Sequence, residues 1–419
     1  MNNNSKLQKK WAVTFSGGGA RGAYEIGCWK AFKEMHLEIE AVAGTSIGAL
    51  NGALLVQGDY DKALEIWSEI TPELLFDTEQ KGLNRYRDTS KLRSLLEGYI
   101  DEERFFDSNI DFCLTTFNVT SLKPEIVFKE DIPRGKLIDY LMASANYPVF
   151  KRQEIDGELY IDGGLYDNMP TIPLIERGYD HIIRIDIRDM LGMRTRKVGQ
   201  TNAELITIHS RHSLSGVLHF TPEVIFSNIH YGYYDTLQAF DKLKGSIYYI
   251  DTDNEKSSFC LTAEDFIKLR QNESTKDFVQ KENLVKKCLE TMNSIMNANE
   301  YYSITSPEFF LCGLEVLCDC LDIPDYLLYT PDDLLALAYK SLLNLKEEQN
   351  NLLGFIAENA VNSFEEGHFD NFPSHKRIIL GILLYASQGN RAIYAFILSQ
   401  FPKMGISYLF ANLLLSKML

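Results

Sequence analysis

The sequence has a deficit of positive charge: 42 Lys and Arg stand against 58 Asp and Glu, a formal net charge of −16 over 419 residues. A general nucleic-acid binder neutralises phosphates with a basic surface, so that class is excluded. Bulk attraction to an anionic membrane is excluded on the same ground. No window holds about 18 uninterrupted apolar residues, the length a membrane-spanning helix needs. The apolar run after the basic start (Lys6, Lys9, Lys10) extends only from Trp11 to Phe15, too short for a signal-peptide core. The seven cysteines are odd in number and lack the paired spacing of a disulfide framework. Cys312, Cys318 and Cys320 do not have a zinc spacing, and no His lies close to them in sequence, which points to buried structural roles and no metal. No internal repeat or low-complexity segment stands out. A soluble protein of a reducing cytoplasm, capable of peripheral contact with membranes, is expected.

The composition that remains is that of a globular chain, 45% hydrophobic and 24% charged, long enough for more than one domain. Charge is uneven: residues 1–190 sum to −9, residues 191–250 to +2 and residues 251–419 to −9. Strand and helix patterns alternate at the start. Trp11–Ser16 reads as a strand, Gly22–Met35 as a helix, Ile39–Ala43 as a strand and Ile47–Gln57 as a helix. Further strands are expected at Phe112–Phe117, Glu125–Phe128, Leu159–Ile161, Ile182–Ile187 and Val224–Ile229. Interleaving of this kind predicts a mostly parallel sheet covered by helices on both faces. After about Lys281 strand signals stop. Thr330 with Pro331 reads as an N-cap and N1 proline, followed by a helical face of Leu334, Leu335, Ala338, Leu342 and Leu345. Helical patterns continue at Ser374–Ala386, Arg391–Phe401 and Ile406–Leu419. The expectation is a catalytic α/β domain over 1–280 and an all-α domain over 281–419.

Two glycine-rich turns carry the chemistry. Gly17, Gly18, Gly19, Ala20, Arg21 and Gly22 lie between the first strand and first helix, where backbone N–H groups can cradle a phosphate or an oxyanion. The dinucleotide-binding reading of this loop needs an acidic residue at the end of the second strand, and that strand ends in Ala43-Gly44. Gly44-Thr45-Ser46-Ile47-Gly48 then places a serine on a strand–turn–helix elbow, with Gly44 and Gly48 permitting the tight turn. A serine needs a base. Ser46 comes too early for the usual Ser–Asp–His order, and the best candidate is Asp162, followed by Gly163 and Gly164 after a short apolar strand, a pattern that alone also reads as a plain turn. His209, His212, His219 and His230 have no acidic partner at a metal spacing and read as surface or core residues.

The glycine loop, the Ser46 elbow and the Asp162-Gly163-Gly164 turn, in this order, resemble the patatin-like phospholipase family. Residues 143–150 and Asp167-Asn168-Met169-Pro170 are also similar to family sequence. The resemblance covers roughly residues 10–250. It implies a three-layer α/β/α sheet and a Ser46–Asp162 dyad without a catalytic His. It further implies an oxyanion hole drawn from Gly17, Gly18, Gly19 and Ala20, and hydrolysis of lipid acyl esters without a cofactor. Asn146-Tyr147 departs from the family's usual small residue before Pro148, which puts the shape of the acyl pocket in question. Arg21 is open to two roles, contact with a substrate phosphate or bracing of the loop against a carboxylate. Acyl transfer to an alcohol by the same serine, and a catalytically silent binding protein, are the alternatives. If the protein works at a lipid surface, contact is expected from residues 188–197, which read first as a solvated loop, or from the apolar C-terminal helices, which better suit a bundle core or a homodimer face.

Overall fold

Trp11, Val13 and Phe15 alternate with Ala12 and Thr14 along the first strand, and all five are buried, so both faces of this strand are covered. The computed structural model describes residues 4–75, 88–188, 194–252, 290–296, 307–347, 375–381, 383–384 and 401–417. Its main sheet has β1 (Lys10–Phe15), β2 (Glu38–Thr45), β3 (Asp111–Asn118), β4 (Lys123–Phe128), β5 (Gln153–Ile155), β6 (Glu158–Asp162), β7 (His181–Asp186) and β8 (Glu204–His209). Strands β8, β7, β1, β2 and β3 run parallel in that order. The β3–β4, β3–β6 and β5–β6 pairs are antiparallel. The sheet is therefore mixed, where the interleaved pattern predicted a mostly parallel one. The reason is local: β5 and β6 are joined by Asp156 and Gly157, both at positive φ (52° and 85°), the backbone of a two-residue hairpin. Four residues join β3 to β4, too few for a parallel crossover.

The larger core lies on the face of Trp11, Val13 and Phe15, under α1 (Ala23–Glu34), α2 (Ile47–Val56), α3 (Tyr60–Glu69), α4 (Ser90–Tyr99), α5 (Leu137–Ser144) and α6 (Pro222–Ala239). Small residues Ala12, Ala41, Ala43 and Cys113 face the other way, against Leu174 of the short helix Ile172–Glu176. This is the expected three-layer α/β/α arrangement.

Val224–Ile229, expected as a strand from its β-branched residues, instead lies inside α6. Pro222 starts that helix and the Thr221 side chain accepts from Val224 N. Its buried residues are Ile225, Asn228, Gly232, Asp235 and Thr236, a helical period written largely in polar and small residues. The helices α1 and α6 meet at two glycines: a Cβ on Gly27 would lie 1.9 Å from Ile229 O, and one on Gly232 would lie 1.9 Å from Tyr24 O. β8 gave no expectation from sequence, its residues being mostly half-exposed at the sheet edge.

The chain divides into two compact units, Met1–Asp241 and Lys242–Leu419. The expected boundary fell at 280, but residues 242–252 belong with the second unit. There Tyr248 and Ile250 join its core, and Tyr249–Ile250 pairs with Leu328–Tyr329. Residues 253–289, with Cys260, Cys288 and most of the interval up to that boundary, lie outside the described residues.

The second unit is built on α7 (Pro307–Cys320), α8 (Pro331–Glu347) and α9 (Pro402–Lys417). Thr330 and Asp333 exchange hydrogen bonds as a capping box before α8, whose Leu334, Ala338, Leu342 and Leu345 are buried. Cys312, Cys318 and Cys320 are buried free thiols. Ile406, Phe410, Ala411, Leu413 and Leu414 of α9 are also buried in this unit's core. Arg391–Phe401, apart from Phe401, lies outside the described residues. No helix among the described residues is long and apolar enough to cross a membrane.

Candidate active site

β2 ends at Thr45 and α2 begins at Ile47, so Ser46 alone makes the turn between them, with φ 57° and ψ −126°. A non-glycine residue in this region is strained, and the surroundings hold it there. Its N–H donates to Ser144 Oγ (3.0 Å), which in turn donates to Thr115 O (2.8 Å). The flanking glycines are demanded by contact. A Cβ on Gly44 would lie 2.4 Å from Gly48 O, and one on Gly48 would lie 2.4 Å from Phe15 O.

Asp162 arrives by a separate route. Thr115 pairs with Thr45 of β2 on one side and Ile126 of β4 on the other. The next residue, Thr116, pairs with Glu125 of β4 and with Asp162 of β6. Strands β2 and β6 therefore share one edge of β3 and meet end to end, which brings Ser46 and Asp162 together. Asp162 N donates to Asn146 O (2.9 Å), and Asp162 Oδ1 accepts from Gly164 N (2.7 Å). Its Oδ2 is buried without a standard hydrogen-bond partner. Burial pushes the carboxyl up to about 6; the Ser46 hydroxyl, within electrostatic reach, and the Gly164 N–H pull it back in part. A carboxylate so placed has an open acceptor and a basicity suited to taking a proton near neutrality.

The glycine loop is anchored at both ends. Gly17 N donates to Asn168 O (3.1 Å), and Asn168 Nδ2 donates to Gly17 O (2.9 Å). Ala20 N donates to Val217 O (2.8 Å). Gly19 adopts φ 59°, and a Cβ there would lie 2.1 Å from Val217 O. Two of the four expected oxyanion donors are thus already occupied, and the N–H groups left without a partner among the described residues are those of Gly18 and Gly19. Arg21 is buried and its Nε donates to the backbone carbonyl of Ser215 (2.7 Å).

A cavity opens beside Ser46 and Gly19. Its walls are almost wholly apolar and include Leu54, Trp67, Leu96, Phe150 and Phe220. Tyr147, the departure noted in the sequence, is part of this lining. Asn51 also lines the cavity: its Nδ2 donates to Gly22 O (3.0 Å) and Glu25 Oε2 (2.7 Å), and its Oδ1 accepts from Trp67 Nε1 (2.9 Å). Glu25 is fully buried and burial raises its pKa well above the usual range.

Several contributors were invisible in the sequence. Ser144 and Asn168 lie in segments singled out only for their family likeness. Thr45 Oγ1 donates to Asp167 O (2.9 Å), tying the elbow to the turn after Asp162. Arg194 N donates to Gly164 O (3.2 Å) and Arg194 O accepts from Asn168 N (2.7 Å). The described part of 188–197 therefore supports the Asp162 turn, while residues 189–193 lie outside the described residues. Among the described residues, no histidine hydrogen-bonds to Ser46 or Asp162. His212 stacks on Tyr231, His219 pairs with Ser215 Oγ (2.6 Å), and His230 lies between Phe226 and Tyr234.

The fold and site define an α/β domain with a serine elbow, an aspartate on the adjoining sheet position and a glycine loop over both. Residues 13–175 match the family described as patatin-like phospholipase. Lysophospholipase NTE1 of Mycosarcoma maydis is 26% identical over 201 residues, covering 45% of this chain and 10% of that protein. Neuropathy target esterase sws of Drosophila melanogaster is 28% identical over 190 residues, 42% of this chain and 13% of that protein. The match thus spans only about a tenth of the length of these curated relatives. Among solved structures, VipD from Legionella pneumophila aligns with a TM-score of 0.41 at 16% identity, over 94% of this chain and 92% of that one.

Proposed function

We propose that this protein hydrolyses fatty-acyl esters of lipids, with lysophospholipids as the first class to test. The observation that carries the reading is the meeting of Ser46, on a strained elbow and lining an apolar cavity, with the buried carboxylate of Asp162. In the first step Asp162 takes the Ser46 proton as Oγ attacks the ester carbonyl. The tetrahedral oxyanion is held by the N–H groups of Gly18 and Gly19, each such donor contributing roughly 2.7–4 kcal/mol. Collapse expels the alcohol, which leaves with the proton held by Asp162, and the acyl group stays on Ser46. Water then gives its proton to Asp162 and its oxygen to the carbonyl; collapse breaks the Oγ–carbonyl bond, Asp162 returns the proton to Ser46 Oγ, and the fatty acid leaves. The cavity receives the acyl chain, and its apolar walls exclude water around the reacting carbonyl.

The test pairs labelling by a fluorophosphonate with hydrolysis of a short-chain ester and of lysophosphatidylcholine. Ser46→Ala is expected to abolish both labelling and hydrolysis. Asp162→Asn is expected to lower turnover by at least about 100-fold. Equal behaviour of the wild type and Ser46→Ala would remove Ser46 from the reaction.

A further inference from the structure

One buried acid, Glu25, has no part in the steps proposed for Ser46 and Asp162. Burial favours its uncharged form, and its Oε1 has no hydrogen-bond partner among the described residues. Its Oε2 accepts from Asn51 Nδ2 (2.7 Å), and the same amide donates to Gly22 O (3.0 Å). Asn51 Oδ1 accepts in turn from Trp67 Nε1 (2.9 Å). The donors and the acceptor of one buried amide are therefore all engaged, each on a different residue. Asn51 lies on α2, the helix that Ser46 caps, while Glu25 lies in the first turn of α1 and Gly22 closes the glycine loop. Packing is close at this junction: a Cβ on Gly22 would lie 2.5 Å from Ile47 Cγ1 and 3.1 Å from Asn51 Nδ2.

We propose that Asn51 is a positioning residue for the reaction at Ser46. It ties the end of the glycine loop to the serine's own helix, and so sets the place of the Gly18 and Gly19 N–H groups over the ester carbonyl. Gly19–Gly22 is one turn of 3-10 helix, so a displacement of Gly22 is carried to Gly19 rather than absorbed between them. The two donors lie between pins. Asn168 holds Gly17 ahead of them, while Val217 and Asn51 hold Ala20 and Gly22 behind. Glu25 aims the amide: with Oε2 taking one N–H, the other is left facing Gly22 O. An uncharged acid does this without the cost of burying a charge. The kinetic consequence rests on the hydrolase reading of Ser46; the placement of the loop does not.

The experiment uses the full chain and reads two quantities. Amide exchange of the peptide spanning residues 16–24 reports how firmly the loop is held. Turnover of a short-chain ester, per site titrated with a fluorophosphonate, reports its alignment with Ser46. Asn51→Leu, similar in size but without the amide's bonds, is expected to speed exchange of this peptide by about tenfold or more. It should also lower kcat per site by at least about tenfold, with KM changed by less than about twofold. Glu25→Met should shift both readouts in the same direction. Glu25→Gln, which keeps the acceptor, should recover kcat to within about threefold of the wild type. A purely structural role predicts fewer titrated sites with the rate of each intact. That result overturns the proposal, as does unchanged exchange in Asn51→Leu, or a Glu25→Gln variant as slow as Glu25→Met. Should Asn51→Leu yield no folded protein, the Glu25 pair decides. Loop exchange that responds as expected in a chain whose wild type hydrolyses no ester would uphold the placement of the loop and remove the hydrolase reading alone.

Discussion

Thr45 and Asp162 occupy successive places along the same edge of β3, opposite Thr115 and Thr116 respectively. The distance between the serine and the aspartate is therefore set by sheet register, across 115 residues of sequence. Gly163 is the point at which that register is most exposed to disturbance, because a Cβ there would lie 2.2 Å from Thr115 O. Gly163→Ala must move the Asp162 turn away from β3. Turnover is expected to fall by about 100-fold, the usual effect of misplacing a reacting group by roughly 1 Å. Thermal unfolding should show a loss of about 1–3 kcal/mol. A variant with normal turnover would mean that the turn is not held by this contact.

The pH dependence follows from burial of Asp162. The base acts ionised, and its pKa stands at about 6, so kcat/KM should rise with pH through an acid limb near pH 6 and level above it. Asp167 is also raised to about 6 by burial but makes its bonds to Met169 N and Arg196 N, away from Ser46. Asp167→Asn should therefore keep the acid limb in place. The same shift has a sign for stability. The folded-state value lies above the usual 3.8, so the stabilising contribution is full below about pH 4 and is lost as pH rises through about 6. Asp162→Asn should be more stable than the wild type above pH 6, by roughly 2–3 kcal/mol, with the difference vanishing toward pH 4. Chemical unfolding of both proteins across this range measures it.

What the sequence disclosed and what it withheld divide along locality. The glycine loop and the Ser46 elbow each sit between a strand and the helix that follows, and their glycine spacing is legible without any partner. The α6 helix was misread because its buried face uses Asn228, Gly232, Asp235 and Thr236, where apolar periodicity gives no signal. The pairing of β6 with β3 beyond the end of β2 depends on register, which no local pattern encodes. The occupied N–H groups of Gly17 and Ala20 were equally hidden. Their acceptors are the backbone carbonyls of Asn168 and Val217, so residue identity does not report them.

Asn168 joins the glycine loop to the base turn. Its backbone and side chain make two bonds to Gly17, while its Oδ1 lies where a Cβ on Gly17 or on Gly164 would stand, at 2.4 and 2.8 Å. Asn168→Ala removes the side-chain half of this link and lets the loop drift from Ser46. The expected result is a fall in kcat per titrated active site of roughly 10- to 100-fold, with KM changed by less than about twofold. Titration with a fluorophosphonate separates this from simple misfolding, which would lower the number of sites and leave the rate of each intact.

The cavity should set acyl-chain length through α4. Leu92, Leu95, Leu96 and Tyr99 recur at helical spacing and all line it, so one face of α4 forms a wall. Leu96 is buried in the core, and enlarging it to Trp fills space that an acyl chain would otherwise use. A single methylene in an apolar pocket is worth about 1–3 kcal/mol, or roughly 10- to 200-fold in kcat/KM. Leu96→Trp is therefore expected to lower kcat/KM for a long-chain ester by at least about tenfold and leave a short-chain ester within about twofold. Leu96→Ala should shift the preference toward longer chains, at a stability cost of about 2–5 kcal/mol. Comparing rates over a series of 4-nitrophenyl esters of increasing chain length reads both effects. A uniform loss at every length would place the acyl chain away from α4, because only a wall in contact with the chain can discriminate by length.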